Sequence, residues 1–275
     1  MRRARAGQLL ALLWLAAAAL LMLLPFWNLL VFSSHSSAEI FGLPPPADIG
    51  AQFPANLQAL SATPFWQAMF NSAYVVLMST LLCLAVSSMA GFALAVYRFR
   101  GQSVVLALAV LGMLLPPFMT VVPYFFWINQ LGWLDQYRAV YMPAAVSGMG
   151  VLLMRQYICS AIPRCLLEIG RLDGCSEWRL YLQIVLPLCK PALATLGVVS
   201  FIAAWNSFLL PLVVLPSPEH YTVHVALRAM QSAAGGEWGV VMTGAMFAVL
   251  PTLAVLIIAA RHWRSILSMT ADAEN

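Results

Sequence analysis

Long uninterrupted runs of apolar residues dominate the chain, and six of them are 22 to 28 residues long. They cover about residues 9–32, 73–97, 103–128, 139–160, 191–218 and 238–260. A helix of about 20 residues crosses the roughly 30 Å hydrocarbon core of a bilayer. Because barrel strands alternate apolar and polar residues, continuous runs such as LLALLWLAAAALLMLL favour helices. The pattern predicts an all-α, polytopic membrane protein with six transmembrane helices.

Composition supports this prediction and narrows the class of protein. The 275 residues are 62% hydrophobic and 9% charged, whereas soluble domains are about 25% charged. This excludes a soluble enzyme, a nucleic-acid binder and a disordered chain, and makes membrane lipid the surrounding medium. The largest segments outside the runs, 33–72 and 161–190, hold 40 and 30 residues. Both are too short for comfortable independent domains, so residues 1–275 are interpreted as one transmembrane domain.

Basic residues are distributed unevenly between the two sides of the predicted membrane domain. Twelve of the fourteen fall on the side of the N-terminus, and only Arg138 and Arg228 fall on the other. Since loops rich in Lys and Arg stay in the cytoplasm, we expect both termini to be cytoplasmic. The first run is too long for the apolar part of a cleaved signal peptide and is interpreted as an anchored helix.

The six runs lack the residues that membrane and soluble enzymes use for chemistry. No Asp, Glu, Lys or His lies inside them, which argues against a proton- or ion-driven carrier. The single lysine, Lys190, has no P-loop glycines before it. His220 and His224 are four residues apart, but no third metal ligand is spaced to join them. The sequence predicts a non-enzymatic chain without a metal or cofactor, either passive or energised by another protein.

The segment 161–190 is the most polar part of this apolar chain. Pro163 can open a helix, and Gly174 after Asp173 predicts a turn before a second helical piece that runs to Pro187. Apolar residues recur on one face of the first helix at Ile162, Leu166, Ile169 and Leu172. Such an amphipathic helix either docks in a partner's groove or lies at the membrane interface without a partner.

The spacing within this segment resembles a known motif. E-x-x-x-x-D-G, followed by nine residues and I-x-L-P, is present from Glu168 to Pro187. It is similar to the cytoplasmic EAA loop of ABC-importer permease subunits, in which a coupling helix sits in a cleft of the ATPase subunit. The resemblance implies that the residues coupling to the ATPase are Glu168, Arg171, Asp173, Gly174 and Pro187. Where the family pattern has alanines, this chain has Ile169, Gly170 and Cys175.

Other stretches resemble the carbohydrate branch of the same family. They are NSAYVV (71–76), LPPFMTVVPYF (115–125), LMRQYI (153–158), FIAAWNSFLLPLVVL (201–215) and GEWGVVMTGAMFAVLP (236–251). The resemblance implies the type I ABC-importer permease fold and alternating access for a sugar or oligosaccharide. It also implies a second homologous permease subunit, a dimer of ATPase subunits that bind ATP and Mg²⁺, and an extracytoplasmic sugar-binding protein.

Four residues are candidates for the substrate path: Tyr124, Trp205, Asn206 and Pro211. An asparagine in hydrocarbon needs a polar partner, so Asn206 either lines a pore or bonds between helices. Prolines are expected to kink or unwind the third and fifth spans, and Tyr124 belongs either to a sugar platform or to an interfacial aromatic belt. A permease for another solute, and a passive channel or scaffold, are the alternative functions.

Overall fold

A computed structural model describes residues 2–232 and 236–273, without the side chains of residues 2–10, 117 and 262–273. Regular structure in the described residues is helical. The first helices are α1 (Arg2–Ser33), α2 (Ser37–Ile40), α3 (Phe53–Ser61), α4 (Phe65–Val96), α5 (Gln102–Leu114), α6 (Pro117–Gln130), α7 (Arg138–Ala145) and α8 (Gly148–Ala161). They are followed by α9 (Arg164–Leu172), α10 (Glu177–Leu180), α11 (Leu186–Leu188), α12 (Lys190–Trp205), α13 (Leu209–Val214), α14 (Val223–Ser232) and α15 (Trp238–Ala273). A π-helical segment, Tyr181–Val185, joins α10 to α11, and Pro218–His220 forms a 3₁₀ turn.

Three stretches in the described part of the chain are each long and apolar enough to cross a membrane: Ala11–Ser33, Phe65–Val96 and Trp238–Arg261. Three further pairs of helices qualify when each bent pair counts as one span. The prediction of an all-helical chain with six spans is confirmed on that count. The third, fourth and fifth spans are interrupted. Interruption was predicted for the third and fifth spans, but not for the fourth.

The third span breaks between α5 and α6, whose axes differ by 110°. Leu115 and Pro116 leave the helical conformation at this point. Because a proline ring disfavours helical geometry in the residue before it and lacks an N–H, the Leu115-Pro116-Pro117 sequence ends α5 and begins α6. The expected interruption by prolines is confirmed here, while Pro123 stays inside α6.

The fifth span breaks earlier than its prolines suggest. Helix α12 ends at Trp205, Asn206 caps its C-terminus, and α13 begins at Leu209. Pro211 lies in the first turn of α13 and is buried, where a missing N–H has no helical partner to lose. The fourth span is similarly divided at Val146–Ser147, where the Ser147 hydroxyl accepts a 3.1 Å hydrogen bond from the Gly150 N–H and so caps α8.

Contacts divide the chain into two compact units. The first runs up to Trp66 and includes Leu227–Leu250. In it the buried Asn56 amide donates to the carbonyls of Ser33 (2.9 Å) and His35 (3.0 Å), and Thr243 also donates to Ser33 (3.1 Å). These bonds satisfy carbonyls at the C-terminus of α1 and just after it. The interpretation of one transmembrane domain stays a prediction.

The second unit comprises Gln67–Ala226 and the chain from Pro251 onward. Its main apolar core gathers side chains from α4, α8, α12 and the segment 161–190. The buried members of this core are Cys83, Phe92, Met154, Ile158, Ile162, Leu167, Tyr181, Val185, Cys189, Ala192 and Leu196. The segment 161–190 is therefore packed against the ends of three membrane helices.

Candidate functional site: the segment 161–190 and a membrane cavity

Helix α9 ends in a tight turn that fixes the direction of the following chain. The Gly174 N–H donates to the Arg171 carbonyl at 3.1 Å, and the Cys175 N–H donates to the Gly170 carbonyl at 3.0 Å. Gly174 has φ +81°, a left-handed conformation that glycine adopts without steric cost. This is the Schellman arrangement of a helix C-terminus, and it confirms the predicted helix–turn–helix.

The apolar face of α9 is split between two environments. Leu167 and Gly170 are buried, whereas Ile169 is 54% exposed and Leu172 is 86% exposed. Of the four residues predicted to share its apolar face, Ile162 is buried but lies before α9, as the C-cap residue of α8, and Leu166 is half-buried. The apolar side chains of Ile169 and Leu172 are therefore free to contact a partner protein or membrane lipid.

Gly170 explains one departure from the family pattern. A Cβ atom at this position would lie 2.5 Å from Leu180 Cδ2 and 3.3 Å from Ile184 Cδ1. Leu180, the last residue of α10, is fully buried, so the glycine lets α9 approach α10 and the π-helical segment more closely than an alanine would allow.

Arg171 is paired within the chain. Its Nε lies 2.8 Å from Glu177 Oε1, and the Tyr97 hydroxyl donates to the same carboxylate. The Arg171 guanidinium lies 6.0 Å from the centroid of the Tyr97 ring. Hydrogen bonds from Arg171 and Tyr97 lower the pKa of Glu177, and the bond to Glu177 raises the pKa of Arg171. Sequence reasoning missed Glu177, because a six-residue separation across a turn has no helical periodicity.

Glu168 and Asp173 are both exposed in this chain. Asp173 caps the C-terminus of α9, and Glu168 borders a cavity at the base of the helix. Together with Arg171 and Gly174 they lie on one helix and its turn, but their roles toward an ATPase stay predictions.

Tyr181 anchors the segment to α4. Its hydroxyl lies 2.7 Å from Ser88 Oγ, and its ring lies 5.4 Å from that of Phe92. The Ser88 hydroxyl donates to the Leu84 carbonyl at 2.6 Å, so its proton is engaged and Tyr181 is the donor toward Ser88. No sequence signal pairs two residues this far apart.

Pro187 follows directly on the π-helical segment. The Leu186 N–H donates to the Tyr181 carbonyl, five residues back. Because Pro187 has no N–H, the Gln183 carbonyl lacks an α-helical partner, and the wider π turn accommodates that loss. The chain then bends by 77° between Glu177–Leu188 and Lys190–Trp205. The role of Pro187 in coupling to an ATPase stays a prediction.

A cavity of about 390 Å³ lies among α4, α7, α8, α12 and α13. Its polar lining consists of small neutral groups on Ser79, Cys83, Ser147, Ser200 and Ser207. No charged side chain in the described part of the chain lines it. Hydroxyl groups on an apolar wall suit a neutral, hydrogen-bonding solute better than an ion.

Three of the four predicted substrate-path residues, Trp205, Asn206 and Pro211, neighbour lining residues of this cavity in sequence, whereas Tyr124 lies in α6. None of the four is among the residues that line the cavity. Asn206 is exposed and its amide donates to the Ile202 carbonyl at 2.9 Å. Trp205 is buried and stacks on Phe201, with 5.9 Å between ring centroids. Pro211 is buried, and the Tyr124 hydroxyl donates to the Ala139 carbonyl at 2.7 Å. Their assignment to a substrate path stays a prediction.

The sequence is similar to known proteins over most of its length. Residues 87–264 match the family model of the binding-protein-dependent transport system inner membrane component. The arabinooligosaccharides transport system permease protein AraQ of Bacillus subtilis (strain 168) is 32% identical over 251 residues, 90% of this chain and 89% of that protein. The lactose transport system permease protein LacG of Rhizobium radiobacter is 29% identical over 255 residues, 90% of each chain.

A further relative carries a different solute. The sn-glycerol-3-phosphate transport system permease protein UgpE of Yersinia enterocolitica is 29% identical, with 88% of this chain and 89% of that protein covered. The fold matches a crystal structure of a bacterial ABC transporter involved in the import of the acidic polysaccharide alginate, with TM-score 0.81, 23% identity, and 95% of this chain and 98% of that chain covered. The predicted permease fold is confirmed, and the chain belongs to the family of binding-protein-dependent transport system inner membrane components.

Proposed function

We propose that this chain is the permease subunit of an ATP-driven importer whose cargo is a neutral sugar or oligosaccharide. The observation that carries the proposal is similarity over 90% of the chain to an arabinooligosaccharide permease. The uncharged cavity between α4 and α12 supports a neutral cargo. The glycerol-3-phosphate and alginate systems carry anions, and a desolvated anion needs a positive partner that this cavity lacks. Family membership disfavours a passive channel or a scaffold.

The distribution of basic residues supports an orientation with both termini and the segment 161–190 in the cytoplasm. In that orientation the exposed Ile169 and Leu172 of α9 face the compartment where ATP is available. ATP and Mg²⁺ would be bound by a dimer of ATPase subunits, and a second permease subunit would complete the substrate path. A binding protein on the other side would deliver the sugar.

The contacts of the segment suggest how movement would pass from an ATPase to the cavity. Helix α9 is joined to α10 by the Arg171–Glu177 ion pair. The next residues are joined to α4 by the Tyr181–Ser88 hydrogen bond. Helix α4 also lines the cavity with Ser79 and Cys83. A displacement of α9 would therefore reach the cavity wall through packed, hydrogen-bonded contacts, as alternating access requires.

Co-purification in mild detergent, combined with uptake of labelled sugars, tests the proposal. We expect the wild type to retain an ATPase subunit and Glu168→Lys to lose most of it, since the change places a positive charge on the docking helix. Asp48→Lys reverses the charge of another exposed carboxylate, outside the segment 161–190, and serves as the matched control. Labelled arabinooligosaccharide, lactose and sn-glycerol 3-phosphate are then compared in cells.

Retention of an ATPase by the wild type and Asp48→Lys, with uptake of a neutral sugar, is the expected result. A wild type that retains no ATPase would overturn the energy-coupled importer. Preferential uptake of sn-glycerol 3-phosphate would overturn the neutral cargo alone.

A further inference from the structure

A second cavity, of about 420 Å³, lies where α4 ends, α5 begins and α8 meets α9. This volume falls in the range of about 300–1,000 Å³ that is typical of small-molecule sites. Four arginines line it, Arg98, Arg155, Arg164 and Arg171, together with a single carboxylate, Glu168. The lining of this cavity is thus strongly basic, whereas the cavity between α4 and α12 has an uncharged lining.

Most of this positive charge is not neutralised by carboxylates in the part of the chain that the structure describes. Among the described residues, the ion pairs are those of Arg171 with Glu177 and of His220 with Asp135. Arg98, Arg155 and Arg164 therefore have no carboxylate partner there. Arg155 is half-buried, and its Nε donates to the Leu94 carbonyl at 3.4 Å. Three guanidinium groups around one concave surface create a strong preference for an anion.

The start of α9 adds to the positive potential. Its N-cap is Pro163, which has no capping side chain, and the first turn contains no acidic residue. The N-terminal end of a helix carries partial positive charge and unsatisfied N–H groups. The first residue of α9, Arg164, lines the cavity.

The position of the cavity along the spans identifies the anion. Its wall combines arginines with the last apolar residues of two membrane helices, including Leu94, Val96, Ile158 and Ile162. In the proposed orientation these helix ends reach the cytoplasmic surface of the membrane, which is the depth at which phospholipid phosphates meet acyl chains. Basic pockets between membrane helices on the cytoplasmic side bind phosphate-bearing headgroups. We propose that this cavity binds the phosphate of an anionic phospholipid, with free inorganic phosphate as the other source of the same chemistry.

Native mass spectrometry of the assembled transporter tests this binding directly. The complex is loaded in nanodiscs that contain phosphatidylglycerol and phosphatidylcholine in equal amounts, and retained lipid is counted after release into detergent. We expect Arg98→Gln and Arg155→Gln each to retain about tenfold less phosphatidylglycerol, because each removes a charge-assisted contact to phosphate. Arg100→Gln, which removes an exposed arginine outside the cavity, is the matched control and should retain wild-type amounts.

Arg98 is exposed, so its variant keeps the test valid if the half-buried Arg155 proves necessary for folding. A second arm measures binding of labelled inorganic phosphate to the delipidated complex. The wild type could bind inorganic phosphate, lose that binding in Arg98→Gln, and show no preference for phosphatidylglycerol. That result would assign the site to free phosphate and would support recognition of a phosphate group by these arginines.

Two results would overturn the proposal. One is equal retention of both lipids by the wild type together with no phosphate binding. The other is loss of an ATPase subunit, rather than of lipid or phosphate, from the arginine variants, which would assign these arginines to a protein interface. Because the readout is bound ligand, neither result depends on which sugar is transported.

Discussion

The hydroxyl of Tyr181 lies 2.7 Å from Ser88 Oγ, and both side chains are almost fully buried. Tyr181 begins the π-helical segment that follows the α9 turn, whereas Ser88 lies in α4, the helix that lines the neutral cavity with Val75, Ser79 and Cys83. The bond therefore connects the segment 161–190 to the wall of the cavity. Its loss should affect stability and coupling together.

We predict that Tyr181→Phe lowers the free energy of unfolding by about 1 kcal/mol, because Ser88 Oγ loses a buried donor. Tyr181→Ala should cost about 3–5 kcal/mol, since it also removes the ring packed against Phe92. Chemical unfolding in detergent, followed by circular dichroism, measures both. Tyr157→Phe removes an exposed hydroxyl 3.5 Å from the Leu188 carbonyl and should change stability by less than about 0.5 kcal/mol.

Tyr181→Phe also tests whether Tyr181 only anchors the segment 161–190 to α4 or transmits movement from an ATPase. If Tyr181 transmits movement, Tyr181→Phe should raise the number of ATP molecules hydrolysed per sugar imported, at temperatures where the protein stays folded. An unchanged ratio with reduced stability would restrict Tyr181 to a packing role.

The Gly174 turn gives a prediction about backbone conformation. Nothing lies within 4 Å of a Cβ atom built on Gly174, and its φ is +81°. Gly174→Ala should therefore cost about 1 kcal/mol through backbone strain alone, and Gly174→Asn less, because asparagine tolerates this conformation. Gly197→Ala is the control: it lies inside α12, where the added methyl meets only Leu84 Cδ1 at 3.8 Å.

Transport assays on these variants should follow the same order, with Gly174→Pro the most damaging because proline cannot adopt a positive φ. Equal activity of Gly174→Ala and the wild type would show that the turn is not needed in its left-handed form.

The Arg171–Glu177 ion pair predicts an acid-sensitive contact. Both side chains are roughly 40% exposed, so a double-mutant cycle with Arg171→Gln and Glu177→Gln should give a coupling of only about 0.2–1 kcal/mol. Hydrogen bonds from Arg171 and Tyr97 lower the pKa of Glu177 from 4.5. The ion pair therefore contributes its full stabilisation above pH 4.5. That stabilisation is lost as the pH falls through the lowered pKa of Glu177 in the folded state.

Unfolding measured as a function of pH checks this direction. The wild type should lose more stability than Glu177→Gln between neutral pH and the range below pH 4.5, and salt should reduce the difference. A coupling that is independent of salt and pH would contradict an ionic contact.

Hydropathy predicted the number of spans, because crossing a membrane requires about 20 apolar residues whatever their partners. It could not locate the breaks at Asn206 and Val146, since neither position carries a proline and both depend on tertiary packing. The prolines at 116 and 117 were informative because they forbid helical hydrogen bonds locally.

Periodicity correctly predicted α9 and its turn, but it could not separate side chains that pack within the chain from those left for a partner. Ile162 and Ile169 share one stripe in the sequence, yet the first is buried and the second is exposed. The direction of α9 depends on the close approach at Gly170, which the sequence showed only as a departure from the family pattern. Long-range pairs such as Ser88 with Tyr181 have no local signal at all.

The loops 131–137 and 215–221 are joined by one carboxylate. Asp135 Oδ1 accepts from the Ser217 N–H at 3.2 Å, and Asp135 Oδ2 lies 3.1 Å from His220 Nδ1. The Asp135 N–H donates to the Val214 carbonyl at 2.8 Å, and Asp135 itself has φ +60°. A left-handed aspartate is uncommon, so its contacts must hold the backbone in place.

We predict that Asp135→Ala destabilises these loops by about 1–2 kcal/mol, through lost hydrogen bonds and strain at positive φ. Asp135→Asn should cost less, because it tolerates this φ and its amide oxygen can accept from Ser217. Hydrogen exchange of residues 215–221 measures the difference, with Asp48→Asn as the control for an exposed carboxylate.

The pH dependence of the same loops gives an independent check. Burial raises the pKa of Asp135, but hydrogen bonds from Ser217 and His220 outweigh it, so the pKa falls below 3.8. Protection of residues 215–221 should therefore be complete above pH 3.8 and decline as the pH falls further. Asp135→Asn, which cannot titrate, should show no such decline. If it declines as the wild type does, another group controls the loops, and the carboxylate of Asp135 is not the contact that joins them.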